Sequence, residues 1–191
     1  MRCLTCQSLS FQMICKDCQE NYLEPSFFKR ELEKDFFVYS FYKLEEIKEL
    51  INTKYEFYGD RVFNILAKNS FAKFSSNFNF SDDVYSIAID DHTRHQFSQT
   101  AILVKHTKSE IITPLYDTLK ATNIVKYAGK DLKFRKKNKR DFIYKGHKNI
   151  QVILIDDLVT TGSTILEAKD ILERDGCEVL FSLCLCDAKV E

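Results

Sequence analysis

Two adjacent carboxylates followed by a hydroxyl-rich turn carry the most legible chemistry in this 191-residue chain. They are Asp156 and Asp157, and the turn after them reads Leu158, Val159, Thr160, Thr161, Gly162, Ser163, Thr164. Backbone N–H groups and hydroxyls at the start of a helix cradle a phosphate, and a glycine lets the backbone approach it closely. Carboxylates just ahead of such a cradle accept hydrogen bonds from vicinal hydroxyls, as on a ribose. A 5-phosphorylated ribose satisfies both halves. The alternative without a ligand is a core strand followed by a helix that Ser163 or Thr160 caps. No glycine-rich loop ending in Gly-Lys occurs, so an ATPase of the Walker type has no support.

The second group is sulfur. Cys3 and Cys6 form one C-x-x-C pair, Cys15 and Cys18 another, and eight residues separate them. Each pair can make a knuckle presenting two thiolates to one metal, and together they predict a structural zinc site with four protein ligands and no open position. Leu9, Phe11, Met13 and Ile14 predict a small hairpin around it. A redox dithiol needs one pair rather than two, and a disulfide framework is disfavoured where thiols stay reduced. So small a module has too little core to fold unaided, and the metal supplies the missing stability.

The third group is charge. Residues 126–148 hold ten Lys or Arg against two Asp, a formal charge of +8 that leaves −8 on the rest of a neutral chain. Such separation creates a local positive field. Lys133, Arg135, Lys136, Lys137, Lys139 and Arg140 are candidates for binding a diphosphate or a nucleic-acid backbone, with Phe134, Phe142 and Tyr144 as stacking surfaces. A solvated hairpin is the third reading. The four His show no metal-ligand spacing and none is assigned to a metal; His92 alone sits in a plausible site loop.

The elements that must position these groups follow from patterning. Val152, Ile153, Leu154 and Ile155 predict a strand buried on both faces, and Ile165, Ala168 and Leu172 share one face of the helix after the turn. Phe36 to Tyr42 predicts a strand whose aromatics are core rather than base-stacking surfaces, Leu44 to Ile51 a helix, and Val62, Ile65 and Leu66 another. Val84 to Ile89 predicts a buried strand, a helix is expected from about Gln96 to His106, and Val179 to Cys186 predicts the last strand, with Cys184 and Cys186 as small apolar core residues. With 45% hydrophobic residues, 5 Gly and 2 Pro, the chain is globular rather than disordered. No apolar run approaches the ~18 residues of a membrane span and no signal peptide opens the chain, which places it in the cytoplasm.

The stretch Asp156 to Thr164 resembles the phosphoribosyl-diphosphate (PRPP) signature of type I phosphoribosyltransferases. That resemblance implies ribose hydroxyls on Asp156 and Asp157, which would be the catalytic pair, and the 5-phosphate on Thr160 to Thr164. It also implies magnesium bound with PRPP, and a loop of the Lys133 to Lys137 region closing over the diphosphate. The two C-x-x-C pairs, the stretch Lys54-Tyr55-Glu56-Phe57-Tyr58-Gly59-Asp60 and the C-terminal turn together resemble the ComF family of competence proteins, closely its ComFC members. Arg135-Lys136-Lys137-Asn138 followed by Phe142 resembles the family's Arg-x-x-Asn and Phe segment. Where the family has Val-Pro-Val-Pro and Arg-Gly-Phe-Asn-Gln, this chain has Ile87-Ala88-Ile89-Asp90 and His95-Gln96-Phe97-Ser98-Gln99. The resemblance implies a zinc ribbon over residues 1–25 and, over 26–191, a type I phosphoribosyltransferase-like α/β domain, its mainly parallel sheet covered by helices on both faces. It implies a role in DNA uptake during natural transformation, with single-stranded DNA and inner-membrane translocation proteins as partners, at the inner face of that membrane. A metabolic phosphoribosyltransferase and a PRPP-sensing nucleic-acid regulator are the competing classes.

Overall fold

The central strand β7 (Gln151–Val159) is apolar at successive positions because both of its faces are covered. The structure, a computed structural model, describes residues 1–89, 97–123 and 140–190. In chain order the elements are α1 (Lys16–Tyr22), β1 (Phe28–Glu33), β2 (Phe36–Lys43), α2 (Leu44–Asn52), a 3-10 turn (Thr53–Tyr55), α3 (Gly59–Asn69), α4 (Phe71–Asn77), β3 (Val84–Ala88), α5 (Gln99–Lys105), β4 (Ile112–Leu115), β5 (Leu119–Ala121), β6 (Phe142–Tyr144), β7, α6 (Ser163–Arg174) and β8 (Glu178–Asp187). Six strands make one sheet in the order β1-β2-β8-β7-β3-β4. All neighbours in it run parallel except β1, which pairs antiparallel with β2 at the edge. This is the expected mixed α/β architecture, a mostly parallel sheet flanked by helices.

Alternate side chains of β7 feed two cores. Ile153 and Ile155 pack with Ile47, Phe63, Leu66 and Leu103 from the helices on one face. Val152 and Leu154 pack with Ile165, Ala168 and Leu172 of α6, and with Leu119 and Phe142 of the β5–β6 hairpin, on the other. The period of two along a strand thus holds two layers against one sheet. The chain leaves β3 toward β4 on one side and leaves β7 toward β8 on the other. The sheet reverses its winding between β3 and β7, and the crevice at the carboxyl ends of two such strands is where open α/β sheets bind ligands.

Several expectations are met with shifted boundaries. The helix expected from Gln96 begins at Gln99, because the Ser98 hydroxyl accepts from the Ala101 N–H at 3.1 Å and caps it. The hairpin expected between the cysteine pairs is reduced to one antiparallel bridge, Arg2 to Leu9. Leu9 and Phe11 are exposed while Met13 and Ile14 are buried, so that segment has no two-sided core to sustain a ladder. Elements beyond those expectations include β1, whose exposed alternate positions Lys29, Glu31 and Glu33 are charged, and the seven-residue helix α4. Among the described residues, no helix is long and apolar enough to cross a membrane.

Candidate functional site

Asp156 and Asp157 stand where β7 reaches the carboxyl edge of the sheet. Asp157 is 8% exposed, and its carboxylate receives Lys54 Nζ at 2.9 Å, from the 3-10 turn. Its backbone N–H donates to Asp156 Oδ1 at 2.8 Å. Burial pushes the Asp156 carboxyl well above the ordinary range, the neighbouring Asp157 charge adds to this, and the Arg140 guanidinium opposes it. Burial also works against the charge on Lys54, but Asp157 outweighs it and holds that ammonium above the usual lysine value. Asp157 is paired with Lys54, and the adjacent Asp156 is the more readily protonated of the two carboxylates. That arrangement accepts hydrogen bonds from a polyhydroxylated ligand once both are ionised.

The turn after them is shaped by glycine. Gly162 has φ 80°, a left-handed conformation, and a Cβ there would lie 2.6 Å from Leu32 Cδ2 of β1. The helix α6 opens behind it with Gly162 as its N-cap residue and no side-chain cap, so neither Ser163 nor Thr160 serves as the simple cap considered above. Thr161 Oγ1 and Ser163 Oγ lie 2.9 Å apart, and Thr160, Thr161, Ser163 and Thr164 are all half-buried. Val159 is buried and Leu158 packs against the core, and both pair with β8, so the candidate ligand groups of the turn begin at Thr160. A helix N-terminus behind hydroxyls and a left-handed glycine is suited to a phosphate dianion.

A strap not legible in the sequence holds this turn. Arg30 of β1 donates through Nε to Asp187 Oδ2 at 2.7 Å and through Nη2 to Asp187 Oδ1 and to the Thr160 carbonyl, both at 3.1 Å. The Asp187 side chain is 1% exposed at the end of β8. The bidentate pair and the bond to Thr160 therefore tie the glycine turn to β1 and β8, the two strands that flank β2.

The base of the basic segment is anchored beside the same helix. Glu167 of α6 accepts the backbone N–H groups of Arg140 at 3.3 Å and Asp141 at 2.8 Å. Asn123 N–H donates to the Arg140 carbonyl at 3.0 Å, and the Asn123 amide reaches the Asp141 carboxylate. Of the candidate cations, Arg140 lies here and its charge acts on Asp156. Lys133, Arg135, Lys136, Lys137 and Lys139 lie outside the described residues, as does His92. Phe97 packs against Phe63 at 6.2 Å between ring centres.

The four cysteines converge. The sulfurs of Cys3, Cys6, Cys15 and Cys18 lie within 4.8 Å of one another. Cys3 and Cys18 are buried, Cys15 is half-buried and Cys6 exposed. Burial pushes the Cys3 thiol up, but N–H donors from Cys15, Cys6 and Thr5 outweigh it and bring it down to about 6. A set of four sulfurs at this spacing can hold a soft or borderline metal ion tetrahedrally.

Like Arg30 and Glu167, Lys54 is a residue that sequence reasoning did not single out for the site. It belongs to the Lys54–Asp60 stretch that carried the family resemblance, but nothing in its spacing points to a carboxylate 103 positions away.

The family model of the phosphoribosyl transferase domain matches residues 109–191. That span contains β7, both carboxylates and the glycine turn, and this part of the chain is of phosphoribosyltransferase type. No curated protein sequence matches the chain. Similar solved structures include the UMP synthase of Leishmania donovani, at 20% identity and a TM-score of 0.39, covering 66% of this chain and 22% of that one. Two crystal forms of a Staphylococcus aureus hypoxanthine phosphoribosyltransferase are also similar, at 12% and 13% identity with TM-scores of 0.39 and 0.37. They cover 65% and 68% of this chain, and 62% and 68% of theirs.

Proposed function

We propose that the chain binds magnesium PRPP at the Asp156–Thr164 site and acts in natural transformation, as a ComF-like factor that handles incoming single-stranded DNA on the cytoplasmic side of the inner membrane. The observation that supports the ligand is the order of parts at one strand end: two carboxylates, a left-handed glycine, then a helix N-terminus with flanking hydroxyls. Asp156 and Asp157 hold the ribose hydroxyls, and Thr160 to Thr164 hold the 5-phosphate. Magnesium, when bound with PRPP, neutralises diphosphate charge. The zinc assignment for Cys3, Cys6, Cys15 and Cys18 rests on the all-sulfur donor set. The DNA role is supported by the ComF resemblance and by the +8 segment whose base the Glu167 anchor holds beside the site.

A metabolic phosphoribosyltransferase is the second reading, favoured by the match over residues 109–191. In it a nitrogen nucleophile displaces diphosphate from C1 of PRPP, and the departing diphosphate takes the bonding electron pair. Calorimetry of PRPP and of single-stranded DNA on one sample, each with and without the other, tests the proposal. Binding of both supports it. PRPP binding without DNA binding, together with normal transformation in a deletion strain that loses a base-salvage activity, would leave the metabolic enzyme.

A further inference from the structure

Resting on the PRPP reading, we infer that Tyr55 and Phe57 form a stacking platform for a nucleobase, at the edge of the site that Lys54 and Asp157 mark. Tyr55 is 61% and Phe57 80% exposed, which leaves ring surface within reach of a ligand. The backbone presenting them is firmly held. The Glu56 N–H donates to the Thr53 carbonyl at 2.8 Å, and the Gly59 N–H to the Glu56 carbonyl at 3.0 Å. At Gly59 a Cβ would lie 2.1 Å from the Thr53 carbonyl oxygen and 2.9 Å from Phe97 Cζ, so the turn closes only with glycine.

The turn is also tied to the site. Lys54 Nζ lies 2.9 Å from Asp157 Oδ2 and 5.6 Å from the centre of the Tyr55 ring. Ring and carboxylate therefore flank one ammonium, within the span of a single nucleoside. Phe57 meets Tyr58 edge to face, with ring centres 5.2 Å apart, which steadies a ring that is otherwise largely exposed. A ribose held by Asp157 would place a flat heterocycle near these rings, and base-on-aromatic stacking tolerates any base because every base has a π face. A nucleobase reaches the platform from either of two sources. It is a free base, the acceptor beside a bound ribosyl group, or a base of a single strand.

The chain contains no Trp, so Phe57→Trp in the full-length protein installs one fluorescent reporter that keeps a stacking ring. The probes are adenine and uracil with magnesium PRPP present, a short oligothymidylate, and an abasic strand of equal length. Quenching by a free base, or by oligothymidylate and not by the abasic strand, supports the inference and identifies the source. Tyr55→Ala with Phe57→Ala should weaken the responding probe by roughly five- to hundredfold per ring, with an unchanged melting temperature because both rings are exposed. No quenching by either probe, an equal response to the abasic strand, or unchanged affinity in the double variant overturns the platform. PRPP affinity of the wild type is measured alongside. Its absence overturns the PRPP reading, whereas PRPP binding without any base effect overturns the platform alone.

Discussion

Asp156 shows how a carboxylate suited to a ligand costs the empty protein stability. An unperturbed Asp titrates near 4, whereas burial and the adjacent Asp157 hold the Asp156 proton well above that in the folded chain. Between those two values the unfolded chain has lost a proton that the folded chain keeps, so stability falls as pH rises through that window and stays lost above it. Asp156→Asn does not titrate and escapes this loss. The variant should melt above the wild type at neutral pH, with the two converging below about pH 4, while magnesium PRPP binding disappears. Thermal denaturation across pH checks the first part and calorimetry the second. A ligand that needs Asp156 ionised releases a proton on binding, so PRPP affinity should rise with pH through the same window. Heats in buffers of different ionisation enthalpy measure that proton.

Among the elements, β1 does more than close the sheet edge. Its Leu32 leaves no room for a side chain at position 162, and its Arg30 holds both Asp187 and the Thr160 carbonyl. Arg30→Gln takes the charge partner from a carboxylate that is 1% exposed and that keeps the Lys189 N–H at 2.8 Å, and removing one partner of such a pair costs about 3–5 kcal/mol. Urea denaturation should register this, together with a loss of PRPP affinity if the proposed site is right, because the glycine turn loses its tether. Arg30→Lys keeps the charge but not the fork, and should restore stability more fully than ligand affinity. Gly162→Ala forces a side chain into left-handed backbone at a cost of about 1–3 kcal/mol, and should weaken PRPP through the same turn.

At the scale of the whole molecule, the cysteine cluster and the sheet share a core. Cys3, Met13, Ile14, Cys18 and Leu23 belong to the same buried cluster as Phe41, Phe63 and Phe71, and the Tyr42 hydroxyl donates to the Leu23 carbonyl at 2.7 Å. If the cluster holds the proposed zinc, removing it should therefore lower the melting temperature of the whole chain. Cys18→Ser, or a strong chelator, should shift the midpoint down by at least ~5 °C, equivalent to about 2 kcal/mol at this size. Far-UV and near-UV dichroism should move together. The opposed charges of +8 and −8 allow the proposed DNA role to be tested. If Lys136, Lys137, Lys139 and Arg140 contact a single strand, replacing all four with Gln should weaken every sequence alike and flatten the log-affinity salt slope by up to about 3. An unchanged slope would instead assign the segment to diphosphate closure.

The β7 strand, its two carboxylates, the glycine turn and the buried face of α6 were legible because each is specified by neighbours in the chain: apolar runs, a 3.6-residue period and local turn chemistry. The four-cysteine cluster was legible for the same reason, since two knuckles encode their own geometry. Lys54 on Asp157, Arg30 on Asp187 and Glu167 beneath the Arg140 hairpin were not. Their partners lie 103, 157 and 27 positions away, and any charged residue on a surface-like pattern reads alike in one dimension. Which charge meets which was decided when β1 and β8 came to flank β2, β7 took its place beside β8, and the segment before α3 came to lie at the carboxyl edge of the sheet. Ionic partners are selected by proximity in the fold, and the strand order, not the local sequence, sets that proximity.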